Sequence, residues 1–324
     1  MNIDLLKSNK QLICVTIGDI QGIGIHILLK EFKKGKINNF VLINNIKIFN
    51  KYIKFPINKI NKINEKNFNK FDKKKLNIYN YITKNQNTNT LDALKYAYEL
   101  TKKKKFIGVL TLPLNKHKIN KSVNKNFIDQ TSFFSNSDNQ KNSNMIFFHN
   151  GKFFTPLTIH IELKKVHELF KNTNSMVKKI ENLYSTLIKD FNIKQPKMIL
   201  AGINPHAGEQ DTISKDDNKY LMPIIKKLNK KDIFIDGPVS GDGIINNTNL
   251  NKYDVFIFTY HDQALIPFKI LSNYEGVNYT SNLDIIRVSP SHGTAENLIG
   301  SNKVISKGII NCFNLIKKIK NNRN

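Results

Sequence analysis

The chain has 324 residues, with 51 Lys and Arg against 25 Asp and Glu, so its formal net charge is +26. This length is sufficient for two α/β domains with a substantial core. The basic residues are spread along the chain rather than clustered, which argues against a nucleic-acid-binding surface but could attract anionic substrates. Only Cys14 and Cys312 are cysteines, which argues against a disulfide framework, and no apolar run approaches the roughly 20 residues of a membrane helix. We therefore expect a cytoplasmic protein that binds neither nucleic acid nor membrane.

Short apolar runs alternate with helical patterns along the chain, and this alternation predicts βαβ units on a largely parallel sheet. The candidate strands are, in chain order, LICVTI, FIGVLTL, MIFF, FFTPLTI, MILAGI, VFIFTY and IIRVS. TLDALKYAYEL has the apolar spacing of an amphipathic helix and offers Thr90 as its N-cap, and PIIKKL and NLIKKI also have helical patterns.

Turn signals complete the predicted layout. FFHNGKFF carries Asn-Gly between aromatic pairs, which predicts a β-hairpin and a partly mixed sheet. The Lys/Asn-rich segments NKINKINEKNFNKFDKKK and SNSDNQKNSN predict linkers or surface loops, the second of them near a domain boundary.

Three histidines each follow an apolar run: His160 ends PLTIH, His206 follows MILAGINP and His261 follows VFIFTY. In open α/β sheets ligands bind outside the carboxyl ends of the strands. Three imidazoles at that edge could hold one divalent cation and leave a position open for a substrate. The alternative is that each histidine only hydrogen-bonds nearby backbone. His149 and His167, in a hairpin and on a helix, are predicted to be structural or exposed.

The segment GDIQGIGIHILLK places three glycines between a strand and a helix, where backbone can approach a phosphate. The third glycine of G-x-G-x-x-G is absent, so a tight strand-to-helix turn is the favoured interpretation. No P-loop, HExxH, GxSxG or CxxC motif occurs in the chain, which removes the commonest kinase, zinc-protease and hydrolase signatures.

Six segments, in order, resemble the motif series of the 4-hydroxythreonine-4-phosphate dehydrogenase family: VTIGDIQGIG, TLPLNKHKI, TIHIELKKV, AGINPHAGE, YHDQALIPFK and EGVNYTSNLDIIRVSPSHGTAENLIG. The resemblance implies an α/β, two-domain isocitrate/isopropylmalate dehydrogenase-like fold with a largely parallel, partly mixed sheet. We expect residues 1–132 plus 301–324 to form the first domain, and 133–300 to form the second, which carries metal and substrate residues. The resemblance also implies a homodimer with its active site in the cleft and at the dimer interface.

The family's site residues fall on matching positions of this chain. The resemblance assigns the metal, which would be Zn, Mg, Mn or Co, to His160, His206 and His261. It assigns the substrate to Lys269, Asn278 and Arg287, and the adenine end of NAD, or NADP, to His292, Gly293, Thr294 and Ala295. Lys116 and Asp242 match a family lysine and a family aspartate, and both are candidates for the proton acceptor. An unpaired charge at Arg287, inside the apolar IIRVS, would be costly, which favours a functional role.

The chain departs from the family pattern at DQTS, where the family has G-H-T-E/D and uses the His and Thr to bind substrate. Thr131 is kept, but Gln130 replaces the histidine and Ser132 replaces the acid. Glutamine can donate a hydrogen bond but cannot transfer a proton. Two smaller departures are Ser291 and His26, which stand where the family has an aspartate and a glutamate.

The resemblance implies an NAD-dependent, metal-dependent oxidoreductase of vitamin B6 biosynthesis. It would oxidise and decarboxylate 4-phosphooxy-L-threonine to 3-amino-2-oxopropyl phosphate, a precursor of pyridoxal phosphate. The alternatives are a paralogous dehydrogenase for another phosphorylated hydroxy acid, permitted by the altered DQTS, and a non-catalytic relative that binds metal and phosphate. The metal, the choice between NAD and NADP, and the general base stay open at this point.

Overall fold

The computed structural model describes residues 11–122, 127–140, 142–301 and 304–324. These residues divide into two compact units. The first unit runs to Asn139 and resumes over Leu283–Asn322, and the second comprises Gln140–Asn282 and Arg323. In the described ranges no helix is both long enough and apolar enough to cross a membrane.

Strands and helices alternate through most of the chain. The strands are β1 (Ile13–Thr16), β2 (Phe40–Ile43), β3 (Ile60–Ile63), β4 (Leu76–Tyr79), β5 (Gly108–Thr111), β6 (Met145–His149), β7 (Lys152–Thr158), β8 (Met198–Ala201), β9 (Ile235–Val239), β10 (Val255–Tyr260), β11 (Val277–Thr280) and β12 (Arg287–Pro290). The helices are α1 (Ile23–Lys33), α2 (Ile46–Tyr52), α3 (Gln86–Lys102), α4 (Lys116–Ser122), α5 (Gln130–Ser137), α6 (Val166–Phe170), α7 (Thr173–Phe191), α8 (Met222–Asn229), α9 (Asn247–Lys252), α10 (His261–Ser272) and α11 (Lys307–Asn322).

The first unit is built on a parallel sheet with the strand order β3-β4-β2-β1-β5-β12. Strands β1, β2 and β5 are buried along their whole length, as expected for parallel strands that are covered on both faces. Gly108 at the start of β5 allows α11 to pack closely, because a Cβ there would lie 2.8 Å from the Ile316 side chain.

The second unit has the strand order β11-β6-β7-β10-β8-β9, in which β6 runs antiparallel to β7 and β11 and the other pairs are parallel. Asn150 and Gly151 form the β6–β7 turn with φ of 46° and 79°, the left-handed pair of a type I′ hairpin. Aromatic rings fill the core: the Phe154 ring stacks on Phe256 with 5.2 Å between centroids, and the Phe268 ring lies tilted at 5.5 Å from Phe154.

The α/β class, the largely parallel and partly mixed sheet, and all seven candidate strands are confirmed. Two local predictions are wrong. Thr90 is not an N-cap, because α3 already begins at Gln86, and the Asn85 side chain accepts from the Thr88 amide at 3.1 Å instead. The first Lys/Asn-rich segment is not only a loop, because it contains β3, where Asn61 hydrogen-bonds Asn77 of β4 at 2.7 Å.

The unit boundary falls at Asn139 and Gln140, within the second Lys/Asn-rich segment. The expected second domain began at residue 133 and extended to residue 300, but the structure packs Leu283–Asn322 into the first unit. The reason is that β12 pairs in parallel with β5, with Arg287 opposite Val109.

Candidate active site

His160 and His261 lie at the carboxyl ends of two neighbouring parallel strands, β7 and β10. Thr158 pairs with Tyr260 at the end of this ladder, so the residues that follow leave the sheet at the same edge. The two imidazole ring centroids are 5.7 Å apart. His160 has a left-handed φ of 53°, which turns the chain sharply as it leaves β7.

His261 is the first residue of α10, and its Nδ1 is 2.8 Å from the Asp262 Oδ1. A carboxylate that binds one ring nitrogen fixes the ring orientation and the tautomer, so that the other nitrogen can bind a ligand. The arrangement therefore presents Nε2 of His261 as the ligand-binding atom.

The next two strands, β8 and β9, deliver His206 and Asp242 to the same edge. Both residues line a cavity of about 530 Å³, together with Ser240, Tyr260 and Gln263. The Ser240 hydroxyl donates to Asp242. This bond, nearby backbone N–H groups and His206 hold the pKa of the Asp242 carboxyl below its usual value. The Asp242 side chain is therefore an ionised carboxylate at neutral pH.

Gln263 connects the chain segments that carry His261 and His206. Its Oε1 accepts from the Thr259 backbone N–H at 2.9 Å, and its Nε2 donates to the Gly202 carbonyl at 3.0 Å. Sequence reasoning assigned no role to Gln263. Its only signal there was its place in the YHDQ motif.

The structure does not gather the three histidines into a complete metal site. Within the described ranges, no group of three His, Cys, Asp or Glu side chains is close enough to hold a metal ion. His160 and His261 form a pair, and His206 shares its cavity with Asp242.

In the first unit, Arg287 is held by the residues of the altered DQTS segment. Its Nη2 donates to the Gln130 Oε1 at 2.6 Å and its Nη1 donates to the Thr131 hydroxyl at 3.3 Å, while Thr111 accepts from Nη2 at 2.6 Å. Gln130 also donates from Nε2 to the Leu112 carbonyl at 2.9 Å. The Arg287 side chain is only 1% exposed, and burial lowers its pKa to about 10. Gln130 thus positions a buried cation.

Lys269 and Asn278 belong to the second unit. Lys269 is exposed on α10, whereas Asn278 lies in β11. The Asn278 Oδ1 is buried without a hydrogen-bond partner. A buried acceptor in this state is costly unless a ligand supplies the donor.

The loop after β12 carries the predicted cofactor residues. The Thr294 carbonyl accepts from the Ile23 amide at 2.8 Å, at the start of α1, and a Cβ on Gly22 would lie 3.3 Å from that carbonyl. Gly22 therefore lets the start of α1 pack on this loop, within the strand-to-helix turn that the sequence predicts.

Within that loop, burial lowers the pKa of His292, and its Nε2 is buried without a partner. Gly293 has open space around it, and Ala295 has a left-handed φ of 37°.

Lys116 is exposed at the start of α4. The neighbouring Lys118, which sequence reasoning missed, binds both Asp19 and Glu296 at 3.0 Å.

The relatives found by sequence comparison share one name. The chain is 32% identical over 212 residues to a 4-hydroxythreonine-4-phosphate dehydrogenase of Aquifex aeolicus, a match that spans 65% of this chain and 65% of that relative. It is 28% identical over 311 residues to the protein of the same name from Bacteroides thetaiotaomicron, which covers 91% of this chain and 85% of the relative.

Solved structures agree on the fold. The crystal structure of 4-hydroxythreonine-4-phosphate dehydrogenase from Klebsiella pneumoniae superposes with a TM-score of 0.78 at 20% identity, over 96% of this chain and 99% of that one. The enzyme of the same name from Burkholderia phymatum gives 0.72 at 21% identity, over 96% and 98% of the two chains.

The sequence relatives, together with the shared fold, thus define an α/β protein of the 4-hydroxythreonine-4-phosphate dehydrogenase class. The family model of the pyridoxal phosphate biosynthetic protein PdxA matches residues 36–316, and the chain belongs to this family. The predicted family, and the predicted oxidoreductase of pyridoxal phosphate biosynthesis, are confirmed.

Proposed function

We propose that this protein is an NAD-dependent, divalent-metal-dependent enzyme that oxidises and decarboxylates 4-phosphooxy-L-threonine to 3-amino-2-oxopropyl phosphate. The observation that carries the proposal is the row of His160, His261, His206 and Asp242 at the carboxyl ends of four adjacent parallel strands, in a chain that belongs to this family. These residues lie at the edge where open α/β sheets generally bind ligands, outside the carboxyl ends of the strands.

The donor set fits a divalent metal. Imidazole nitrogens are common ligands of Zn²⁺ and Co²⁺, and the Asp262 carboxylate on His261 Nδ1 is the supporting contact that such ligands need. His160, His206 and His261 would hold the ion. When bound, it would supply positive charge that lowers the pKa of a substrate hydroxyl and stabilises developing negative charge.

The chain's own residues handle the proton and the charged groups of the substrate. Asp242, as a carboxylate in the cavity beside His206, accepts the hydroxyl proton. Asn278 offers its unpartnered Oδ1 to a donor such as the substrate ammonium. Lys269 and Arg287 supply positive charge for the phosphate and carboxylate, and Thr131 adds a hydroxyl.

The loop of residues 292–295 is assigned to NAD or NADP, which takes the hydride. Open space at Gly293 and the unpartnered, buried His292 Nε2 suit the close approach of a hydrogen-bonding ligand. Asp242 lines the same cavity as His206, whereas Lys116 lies on α4 of the first unit, so Asp242 is the stronger candidate for the base. Localisation in the cytoplasm stays a prediction.

A homodimer with a shared site is part of the proposal. Ile266 and Ile270 line the cavity of His206 although they are 62% and 75% exposed. Apolar side chains grouped beside a site in this way are typical of an interface. A second copy of the chain would cover them and bring a histidine to an otherwise incomplete set.

Mixing inactive variants tests the shared site. We expect His206→Ala and His261→Ala chains, each inactive alone, to recover roughly a quarter of wild-type turnover when mixed, because half of the dimers are mixed and each has one intact site. The measurement is NADH formation after the subunits are exchanged.

Mixing His160→Ala with His261→Ala should give no recovery if that pair comes from one chain, as its 5.7 Å ring separation indicates. No recovery in any mixture, with heterodimers demonstrated, would place the site within one chain.

Gln130 tests whether the altered segment changes catalysis. We expect Gln130→His to change KM by about 2- to 13-fold and to leave kcat nearly unchanged, because the uncharged Gln130 side chain accepts a hydrogen bond from Arg287 and donates one to the Leu112 carbonyl. Both constants should be measured from pH 6 to 9. A gain in kcat above about tenfold, with a new pH dependence near 6.5, would show that a histidine at this position transfers protons.

The second candidate function, a paralogue for another phosphorylated hydroxy acid, is favoured only by the Gln130 substitution. A substrate panel separates the two candidates. The proposal expects the highest kcat/KM for 4-phosphooxy-L-threonine, and a higher value for another phosphorylated hydroxy acid would establish the paralogue. Metal and phosphate binding without NADH formation from any substrate would establish the non-catalytic relative.

A further inference from the structure

The loop that carries His206 has an unusual backbone. Six consecutive residues, His206 to Asp211, have positive φ, with values of 50°, 51°, 81°, 44°, 52° and 71°. Only Gly208 among them is a glycine. L-residues rarely adopt this conformation in succession, so the surroundings must hold the loop in place.

Asp217 is placed to hold it. This residue is 1% exposed and opens a single π-helical turn, Asp217–Leu221, before α8. Its carboxylate accepts from the Ile203 amide at 2.7 Å, from the Asn204 amide at 3.3 Å and from the Asn204 side chain at 2.9 Å. Three donors just before His206 therefore converge on one buried carboxylate.

The same carboxylate packs against the glycines on both sides of His206. A Cβ on Gly202 would lie 2.6 Å from Asp217 Oδ1, and a Cβ on Gly208 would lie 3.4 Å from Oδ2. The loop thus closes around Asp217, and His206 is carried on the outer side of this turn, where it lines the cavity with Asp242.

We infer that Asp217 is a positioning residue that fixes His206 for metal binding. The inference rests on the proposed function, because it takes His206 as a ligand. A carboxylate is needed at this position because both of its oxygens accept hydrogen bonds, Oδ1 from Ile203 and Oδ2 from Asn204. The carboxamide of an asparagine would accept at one oxygen only and would present N–H groups to the donors of Asn204.

The test compares Asp217→Asn with Asp254→Asn in the full-length protein. Asp254 is a matched control in the same unit, because its carboxylate accepts from the Lys197 amide at 3.0 Å, but at the opposite end of β10 from His261. Two readouts are taken: Co²⁺ affinity from the visible absorption of the bound ion, and hydrogen exchange of residues 203–211 in the metal-free protein.

We expect Asp217→Asn to weaken Co²⁺ binding by about 10- to 100-fold and to speed exchange of the Ile203 and Asn204 amides. Asp254→Asn should leave both unchanged. If Asp217→Asn does not fold, Asn204→Ala removes one of the three donors and should weaken Co²⁺ binding by about 2- to 13-fold. Unchanged Co²⁺ affinity and exchange in the folded variants would overturn the inference.

His206→Ala separates this inference from the proposed function. If His206→Ala loses Co²⁺ binding but Asp217→Asn keeps wild-type affinity, the metal site stands and the positioning role fails. If His206→Ala itself binds Co²⁺ with wild-type affinity, the proposed metal site fails, and the inference fails with it.

Discussion

Alanine in place of His160, His206 or His261 is expected to lower kcat by about 10³-fold or more, while the protein stays folded. A metal ion that activates a hydroxyl supplies several kcal/mol of stabilisation to the transition state, and about 4 kcal/mol corresponds to this factor. All three side chains are at least partly exposed at strand ends, so their removal leaves no buried cavity.

Metal content, circular dichroism and NADH formation should be measured for each variant. His167→Ala is the matched control, since this residue lies in the same unit on α6 and has no role in the proposed site. Wild-type activity in any one of the three variants would remove that histidine from the site.

Replacing Arg287 with methionine is expected to reduce kcat/KM by about 10- to 150-fold, mainly through KM. A hydrogen bond to a charged group contributes about 1.5–3 kcal/mol, which corresponds to this range. The same change should lower the free energy of unfolding by about 1–3 kcal/mol, because Gln130 and Thr131 lose their buried donor.

Thr111→Val provides the comparison for Arg287. It keeps the positive charge but removes the hydroxyl that accepts from Nε at 3.1 Å and from Nη2 at 2.6 Å, so it should affect KM less than Arg287→Met does. Steady-state kinetics and urea unfolding of both variants provide the measurement. A loss of stability without any change in KM for Arg287→Met would show that Arg287 serves the core alone.

Continuous apolar runs made most strands of the second unit predictable. Of the missed strands, β2 is a continuous apolar run, FVLI, that the sequence analysis did not select, whereas β4 and β9 have weaker patterns. In β4 the buried Asn77 is tolerated because Asp72 and Asn61 hydrogen-bond its side chain. Strand β9 contains Gly237 and Pro238, two residue types that are rare inside strands and so argue against predicting one.

In the candidate site, too, some residues could be predicted from the sequence and others could not. Histidines within a few residues of a strand end could be selected as candidates, because the carboxyl ends of parallel strands share one edge. Asp217 and Gln263 could not, because their roles depend on which loop folds over which helix start. Nor could the contact of Gln130 with Arg287, since these residues are 157 positions apart and meet only when β12 pairs with β5.

The central claim is tested most directly by product formation from 4-phosphooxy-L-threonine. The purified chain should be stripped of metal, supplied with NAD, and assayed for NADH and CO2 with and without Mg²⁺, Mn²⁺, Co²⁺ or Zn²⁺. The proposed function predicts NADH and CO2 in equal amounts, with turnover only when a divalent ion is present. A folded protein that forms no NADH with any of these ions, or that turns over equally well without them, would contradict it.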